Sequence, residues 1–434
     1  MSKRIKILIP IFSLLIFLTA CNNHSQQTYV PTTMPPTEIT AEAIFVDDPT
    51  ELPSLVVDNE EEIETEPIVE IEAVEIKIQF VGDILLHPRY TGSVETARTG
   101  PDSFNFHPFL EHIKPYIDGD LSIANMETPV DVMGGNQDLS TFPFFNVPFE
   151  ILPALIDTGF NHLISANNHS FDRHFSGLVA TVENFERAGI SHTGMNVDIN
   201  DFNQHTIIDV GGIQVGIIAY TDSVNGLESF VSDSERQFAV RRFRSYTLDD
   251  VPQIAQDIQQ IREDGAEFVI ISLHWGAEYV NYPTEMQRLI AREISEAGAD
   301  VIMGNHAHVV QPVQWHYRED GSRAFIMYSL GNFLADQTRL NTPIPPTQYG
   351  KIVNLQVVRE ADGEIRIDTA DILPTLTMRD FAGNTLRFVD DVTILPLFNG
   401  EVPEFVTDQS LRDWGQRAYD HVVNIVGSEF VTER

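Results

Sequence analysis

The stretch Ile78-Gln79-Phe80-Val81-Gly82-Asp83 decides the fold, because a short apolar run ends abruptly at a carboxylate. Its length and β-branched residues favour a strand over a helix. In open α/β folds, side chains that follow a strand reach the carboxyl edge of the sheet, where such folds build their sites. We therefore predict that Asp83 belongs to a functional site at a sheet edge.

The same pattern, an apolar run that ends at a metal-binding side chain, recurs along the chain. The side chains that follow these runs are Glu127, Asn168 with His169, His274, and His306 with His308. A mixed set of carboxylate, amide and imidazole ligands suits Mn, Fe or Zn better than Ca or a thiolate metal. The series predicts a site for two divalent metal ions.

Six segments resemble the capsule-synthesis protein A (CapA-type) family, a branch of the calcineurin-like metallophosphatase superfamily. In chain order they are Val81-Gly82-Asp83, Ala124-Asn125-Met126-Glu127-Thr128-Pro129, Ala166-Asn167-Asn168-His169-Ser170-Phe171-Asp172, Leu273-His274-Trp275-Gly276-Ala277-Glu278-Tyr279, Gly304-Asn305-His306-Ala307-His308 and Tyr328-Ser329-Leu330-Gly331-Asn332-Phe333. They follow the order and spacing of the family. The resemblance implies a four-layer α/β/β/α sandwich of the metallophosphatase type, with a metal site at one edge of the two sheets.

The resemblance also implies the ligands of the two ions. Glu127 would bridge them, because each carboxylate oxygen can bind one ion. Relatives with phosphatase activity usually carry Asp at this position, so Glu127 follows the CapA-type variant. The remaining ligands would be Asp83 and His308 on one ion and Asn168, His274 and His306 on the other.

His169 follows a ligand and is expected to face the substrate, where it would protonate the leaving oxygen or stabilise charge in the transition state. Asp172, three residues on, is placed to hydrogen-bond His169 and orient it. The alternative for residues 167–172 is a capped helix start. Asn125, beside the bridging position, and Asn332, expected at the rim, are further candidates.

Two departures from the active-enzyme pattern concern histidines. Active metallophosphatases usually have Asp-x-His in the first motif, whereas here the next histidine is His87. It could be a ligand if the loop bends, but we favour a polar surface histidine. His174, where relatives often have Gly, could add a ligand or face water. Trp275 and Tyr279 could line a substrate groove or pack under the loop.

The N-terminus is typical of a secretion signal. Residues 1–20 combine early positive charge with an apolar stretch, and Cys21 is the only cysteine of the chain. We expect lipidation of Cys21 and a location on the outer face of the cell membrane; the alternative is an ordinary signal peptide. Residues 21–75 are rich in acids and proline, which predicts an extended, disordered stalk.

The net charge of −37 argues against nucleic acid and anionic lipid as direct ligands. An anionic polymer would have to bind through the metals or through local basic spots. Arg241-Arg242-Phe243-Arg244 is such a basic cluster, and we favour a solvated loop or hairpin edge for it.

Apolar runs alternate with helical patterns between residues 76 and 373, the expected CapA-type domain. Strands are predicted at 76–81, 121–124, 162–165, 213–220, 268–273, 301–303 and 324–329, and helices at 177–188, 248–265 and 285–298. Hairpins are predicted at Gly211-Gly212 and Asp362-Gly363. Residues 374–434 form an expected extension whose final helix, near 411–426, would pack on the domain or bind a partner.

Three functions are compatible with these residues. The leading hypothesis, implied wholly by resemblance, is an anchored protein that acts in synthesis, export or attachment of a capsule polymer such as poly-γ-glutamate, with membrane synthase subunits as partners. The second is a metallophosphoesterase unrelated to capsule, acting on small or lipid-linked phosphates. The third is a non-catalytic assembly subunit. The residues themselves support only metal binding and hydrolysis of a phosphoester or related bond.

Overall fold

The computed structural model describes residues 73–88, 92–101, 103–131, 139–337, 346–378, 381–382, 385–386 and 393–432. The predicted signal, Cys21 and nearly all of the predicted stalk lie outside these residues. Among the described helices, none is both long and apolar enough to span a membrane.

The described residues contain strands and helices that alternate through most of the chain. The strands are β1 (Val74–Leu85), β2 (Arg98–Gly100), β3 (Ser103–Phe104), β4 (Leu121–Met126), β5 (His162–Ile164), β6 (Ser191–Thr193), β7 (Thr206–Val210), β8 (Ile213–Thr221), β9 (Phe268–His274), β10 (Val301–Asn305), β11 (Val313–Tyr317), β12 (Arg323–Met327), β13 (Asn332–Ala335), β14 (Tyr349–Arg359), β15 (Ile365–Met378), β16 (Phe381–Ala382), β17 (Thr385–Leu386) and β18 (Thr393–Pro396). The helices are α1 (Ser93–Thr96), α2 (His107–Leu110), α3 (Ile151–Thr158), α4 (His174–Ala188), α5 (Ile199–Asn203), α6 (Val251–Glu263), α7 (Glu285–Glu296) and α8 (Gln409–Val426).

Two large sheets carry the fold. The first has eight strands in the order β18-β15-β14-β1-β4-β5-β6, with β13 paired to β1, and the second has six in the order β11-β12-β10-β9-β8-β7. Strands β1, β4, β5 and β6 are parallel neighbours, as are β8, β9, β10 and β12. Each sheet therefore has a central region whose strands all end at the same edge.

The two sheets face each other across a shared apolar layer. Ile78 and Phe80 of β1 meet Ile217 of β8 and Ile270 of β9 in this layer. Residues of the opposite strand faces pack on helices: Leu163 lies in a cluster with residues of α2 and α3, and Ile271 in one with residues of α6 and α7. This alternation gives the predicted four-layer α/β/β/α sandwich.

The predicted helices and hairpins occur with small shifts of their ends. In α6, Ile254, Ile258 and Ile261 are buried at helical spacing, and Gly265 follows the helix end with a positive φ of 113°. Helix α7 begins with a capping box in which Thr284 and Gln287 bond each other's backbone. The predicted hairpins join β7 to β8 and β14 to β15.

The C-terminal segment is continuous with the first sheet. Strand β15 runs across residue 373, the expected domain boundary, and pairs with β18 beyond it. Helix α8 buries Leu411, Trp414 and Ala418 in a cluster with Leu376 of β15. Of the two interpretations of this helix, packing on the domain is confirmed; Val426 is buried at its end, whereas Ile425 is only partly buried.

Lys351 of β14 links the two sheets near the site edge. Its side chain is buried, with 1% of the residue exposed, and its Nζ donates a hydrogen bond to the carbonyl of Gln311 at 2.8 Å. Gln311 lies just before β11 of the second sheet. Burial lowers the pKa of Lys351 to about 7.

The lowered pKa predicts that stability rises with pH through Lys351. An unfolded lysine titrates near 10.4, so between about pH 7 and 10 the unfolded chain holds a proton that the folded chain lacks. The free energy of unfolding should then rise by up to about 1.4 kcal/mol per pH unit. Urea unfolding at several pH values should show this rise in the parent and a flatter curve in Lys351→Met.

Lys114→Met is the matched control, because the Lys114 side chain is 48% exposed. This variant should keep the pH dependence of the parent. Parallel curves for the parent and Lys351→Met would show that Lys351 stays protonated in the folded protein.

Candidate metal centre

Two carboxylates reach the site from the first sheet. Asp83 lies near the end of β1 and Glu127 directly follows β4, the parallel neighbour of β1. The backbone N–H of Asp83 donates to the carbonyl of Gly331 at 3.0 Å, and that of Glu127 donates to Ile84 at 3.1 Å. Both side chains are fully buried.

A glycine precedes Asp83 because the backbone of another segment passes too close for a side chain. A Cβ on Gly82 would lie 1.8 Å from the carbonyl oxygen of Gly331. The Gly82-Asp83 pair therefore reflects a requirement for close backbone approach at the sheet edge.

Three histidines reach the site from the second sheet. His274 is the last residue of β9, and His306 and His308 lie in the turn after β10. The latter two adopt positive φ values of 90° and 57°. Such backbone strain costs on the order of 1–3 kcal/mol per residue and is typical of functional turns.

Asn168 completes the set from the loop after β5. Its Oδ1 lies 3.0 Å from Nε2 of His274, and its Nδ2 donates to Oδ1 of Asn225 at 3.3 Å. Because Asn225 takes the amide nitrogen, the amide oxygen of Asn168 is left facing the histidines.

These side chains form two groups that share one residue. Glu127, His274 and His306 form one group, and Asp83, Glu127 and His308 form the other, with candidate ligand atoms inside each group within 4.8 Å of one another. The geometry therefore brings together all six residues expected as ligands and places Glu127 in the shared position.

Burial of two carboxyl groups away from water shifts the pKa values of the residues in the centre. Burial raises the pKa of Glu127 to about 8. Burial also acts to raise the pKa of Asp83, but its contacts with His308 and Asn125 outweigh this and leave the pKa lowered. Burial would lower the pKa of His308, yet attraction to Glu127 and Asp83 raises it to about 10.

The imidazoles of the other group are held neutral. Burial lowers the pKa of His274 to about 4 and that of His306 to about 3. Neutral imidazole is the form that binds metal ions.

The unsatisfied atoms test whether a divalent cation fits. Both carboxylate oxygens of Glu127 are buried without a hydrogen-bond partner among the described residues. Nε2 of His274 faces three acceptor-bearing neighbours: Oδ1 of Asn168 at 3.0 Å, Nδ1 of His306 at 3.1 Å and Oε1 of Glu127 at 3.4 Å. One imidazole hydrogen can satisfy only one of them, so a cation suits this donor set.

Two asparagines hold the ligands in place. Asn125 donates to Oδ1 of Asp83 at 2.7 Å and lies 3.4 Å from Nδ1 of His274, so it connects the two ligand groups. Oδ1 of Asn332 lies 3.0 Å from Nδ1 of His308. Such contacts to the second ring nitrogen orient metal-binding histidines.

His169 lies beside the centre and is backed by Asp172, as the spacing predicted. Its Nδ1 is 2.7 Å from Oδ2 of Asp172, which also accepts the backbone N–H of Phe145 at 2.7 Å. The ring of Phe145 packs edge-on against His169, with centroids 4.7 Å apart. Burial raises the pKa of Asp172 despite these contacts.

The interpretation of His87 as a surface residue is wrong. Only 4% of His87 is exposed; its ring meets that of Phe145 edge-on at 4.8 Å and lies 3.8 Å from the Asp336 carboxylate. The loop after β1 turns inward because Asp336 accepts the backbone N–H groups of His87 and Ser93. His87 belongs to neither ligand group among the described residues.

The structure also shows where His174, Trp275 and Tyr279 lie, for which a role at the site or a place outside it had both been possible. His174 is exposed and stacks on Phe230 at 4.2 Å, outside both ligand groups of the described chain. Trp275 is a packing residue, buried with its Nε1 donating to the carbonyl of Tyr328. Tyr279 is half-buried near the site; its hydroxyl accepts from Gln337, and its ring centroid is 5.9 Å from that of His308.

The arginine cluster is neutralised by local acids. Arg241 pairs with Asp257 at 3.1 Å, Arg242 with Glu228 at 3.0 Å and Arg244 with Asp250 at 2.7 Å. Its positive charge is therefore compensated where it stands.

Sequence reasoning missed Asn225 and Phe145. Neither lies in a recognisable motif, and each acts through a contact with a residue distant in the sequence. The left-handed conformation of Asn225, with φ of 54°, is common for asparagine and gives no sign of its contact with Asn168.

The layered fold and the paired ligand groups at the sheet edge define a protein of the metallophosphatase-like class. Residues 77–337 match the family described as "Bacterial capsule synthesis protein PGA_cap". The chain belongs to this family.

Similar proteins carry related descriptions. The chain is 28% identical to the "PGA biosynthesis protein CapA" of Bacillus subtilis, over 68% of this chain and 72% of that protein. It is 27% identical to the "Capsule biosynthesis protein CapA" of Bacillus anthracis, over 62% of each. Among solved structures, the Haemophilus influenzae NAD nucleotidase NadN aligns with a TM-score of 0.39 and 11% identity, covering 84% of this chain and 64% of that one.

The shared position of Glu127 predicts the effect of its replacement on metal content. After reconstitution with Mn, Fe or Zn, the parent should hold about two ions per chain by elemental analysis. Glu127→Gln should retain fewer than one, because a neutral amide is a poor bridge between cations.

Two variants serve as controls for this loss. Glu319→Gln makes the same chemical change at an exposed position between β11 and β12, and His87→Ala removes a histidine outside both ligand groups of the described residues. Both should keep the metal content of the parent. A parent that binds no ion after reconstitution would refute the assignment of the centre.

Proposed function

We propose that this protein acts in biosynthesis of a capsule polymer of the poly-γ-glutamate type, and that its centre binds two divalent ions and hydrolyses a phosphoester or related bond. Membership of the PGA_cap family and similarity to the two CapA proteins support the biological role. The observation that supports metal chemistry is that Glu127 belongs to both ligand groups and that neither of its buried carboxylate oxygens has a hydrogen-bond partner among the described residues.

Asp83, Glu127, Asn168, His274, His306 and His308 would hold the ions. When bound, two divalent ions neutralise the charge that develops on phosphoryl oxygens and template the reacting groups. The neutral imidazoles and the amide keep the charge of the loaded centre positive, which favours an anionic substrate. Asn125 and Asn332 would fix the ligand orientations on which this attraction depends.

His169 would move the proton at the leaving oxygen. Because Asp172 takes the hydrogen on Nδ1, Nε2 is the atom available to carry a proton to the substrate. The edge-on ring of Phe145 limits rotation of the imidazole. The His169 ring is thus held in place by its neighbours without binding a metal ion, which suits a general acid.

We further propose that the protein is anchored by a lipid on Cys21 to the outer face of the cell membrane. The charged, apolar and small-residue order of residues 1–21 supports this location. From there it would cooperate with membrane synthase subunits on an extracytoplasmic polymer or on a phosphoester used in its assembly.

His169→Ala separates catalysis from metal binding. The variant should keep its metal content and lose about 10²–10⁴-fold of any hydrolytic rate, the usual contribution of general acid–base catalysis. His274→Ala should lose metal instead. Rates on aryl phosphate esters, measured together with elemental analysis, test both expectations.

Full activity in His169→Ala would show that His169 is not the general acid and that the metal ions alone carry the reaction. If the parent hydrolyses no ester while His169→Ala still abolishes capsule formation in cells, the hydrolytic part of the proposal fails. The centre would then be a recognition surface within an assembly subunit.

Cys21→Ser tests the anchor. Without the thiol no lipid can be attached, so the variant should leave the membrane fraction or keep an uncleaved signal. Fractionation and intact mass of the mature chain measure these outcomes. Unchanged membrane association with a cleaved signal would refute lipid anchoring.

A further inference from the structure

Aromatic side chains lie exposed on a loop beside the metal centre. Phe142 is 71% exposed and Phe144 is 38% exposed. The ring of Phe144 lies 5.7 Å from that of Phe230, on which His174 stacks at 4.2 Å with an interplanar angle of 12°. We call Phe142, Phe144, Phe230 and His174 the aromatic rim.

Two contacts join the aromatic rim to the catalytic residues. Phe145, which follows Phe144, packs its ring on His169 and donates its N–H to Asp172. The loop that carries Phe230 also carries Asn225, whose side chain bonds the expected ligand Asn168. The rim therefore borders the centre on the side of the proposed proton donor, where the leaving group of a substrate would lie.

The charges around the rim are compensated rather than free. Arg173, beside His174, lies 3.7 Å from Asp131, and Arg242 pairs with Glu228, two residues before Phe230. From the described residues, a polyanionic leaving group would meet no excess of positive charge on this side. A flat apolar ring would instead cover exposed aromatic surface, which is favourable.

We infer that the substrate of this centre is a phosphoester whose leaving group carries a planar, uncharged ring, and that Phe142 and Phe144 of the aromatic rim bind that ring. The inference rests on the proposed phosphoester chemistry and adds the class of leaving group to it. The metals would attract the phosphoryl group of any such ester, so the aromatic rim would provide the discrimination between leaving groups.

The test compares two phosphonates that differ only in the group on phosphorus. Phenylphosphonate and methylphosphonate are titrated by calorimetry into the Mn-loaded full chain. The parent should bind phenylphosphonate about tenfold more tightly, a difference of about 1.4 kcal/mol. In the double variant Phe142→Ala, Phe144→Ala, the ratio of the two dissociation constants should fall to about two or less.

Phe405→Ala is the matched control, because Phe405 is 53% exposed but stacks on His112, away from the centre. It should keep the tenfold ratio. Thermal unfolding and metal content of the double variant establish that it is folded and loaded.

The outcomes separate this inference from the proposed function. Equal binding of both phosphonates by the parent, or a ratio unchanged in the double variant, overturns the role of the rim and leaves the phosphoester proposal standing. Binding of neither phosphonate overturns the phosphoester proposal and the inference together. A γ-linked glutamate oligomer whose binding the double variant weakens would assign the rim to the polymer and refute the inference.

Discussion

The burial of two carboxylates at one edge of a β-sandwich is the constraint on which the site depends. Isolated ionised groups are strongly destabilising away from water, so a buried acid needs a proton, a cation or hydrogen-bond donors. Asp83 has Asn125 and His308, whereas within the described part of the chain neither oxygen of Glu127 has a hydrogen-bond donor. The imidazoles and the amide surround Glu127 on the sides where cations can balance its charge, which explains why ligands from five separate segments converge there.

The fold explains how those segments meet. Parallel strands end at a common edge, and in each sheet the chain leaves the edge through a turn that carries a ligand. Two contacts fix these turns: the backbone of Gly82 passes against that of Gly331, and the side chain of Lys351 ties the backbone before β11 to the first sheet. The supporting residues are therefore part of the packing between sheets, and they constrain the ligands before any ion binds.

Much of this arrangement follows from sequence, because strand ends and ligand types are local signals. The alternation of strands and helices, both hairpins and the residues of the two ligand groups were predictable in this way. The burial of His87 was not, because it depends on Asp336, whose carboxylate draws the loop inward from 249 positions along the chain. Asn225 and Phe145 were missed for the same reason, because their roles arise from contacts with residues distant in the sequence.

The ligands are divided between the two halves of the sandwich. Asp83, Glu127 and Asn168 belong to the first sheet and its loops, and His274, His306 and His308 belong to the second. Ions bound by ligands from both halves would hold the two sheets together at this edge of the apolar layer. Metal supply and the mechanical cohesion of the sandwich are then thermodynamically linked: an ion at 100 times its dissociation constant adds about 2.7 kcal/mol to folding. In a metal-poor environment, the two halves would lose this contribution to folding at the edge where the ligands meet.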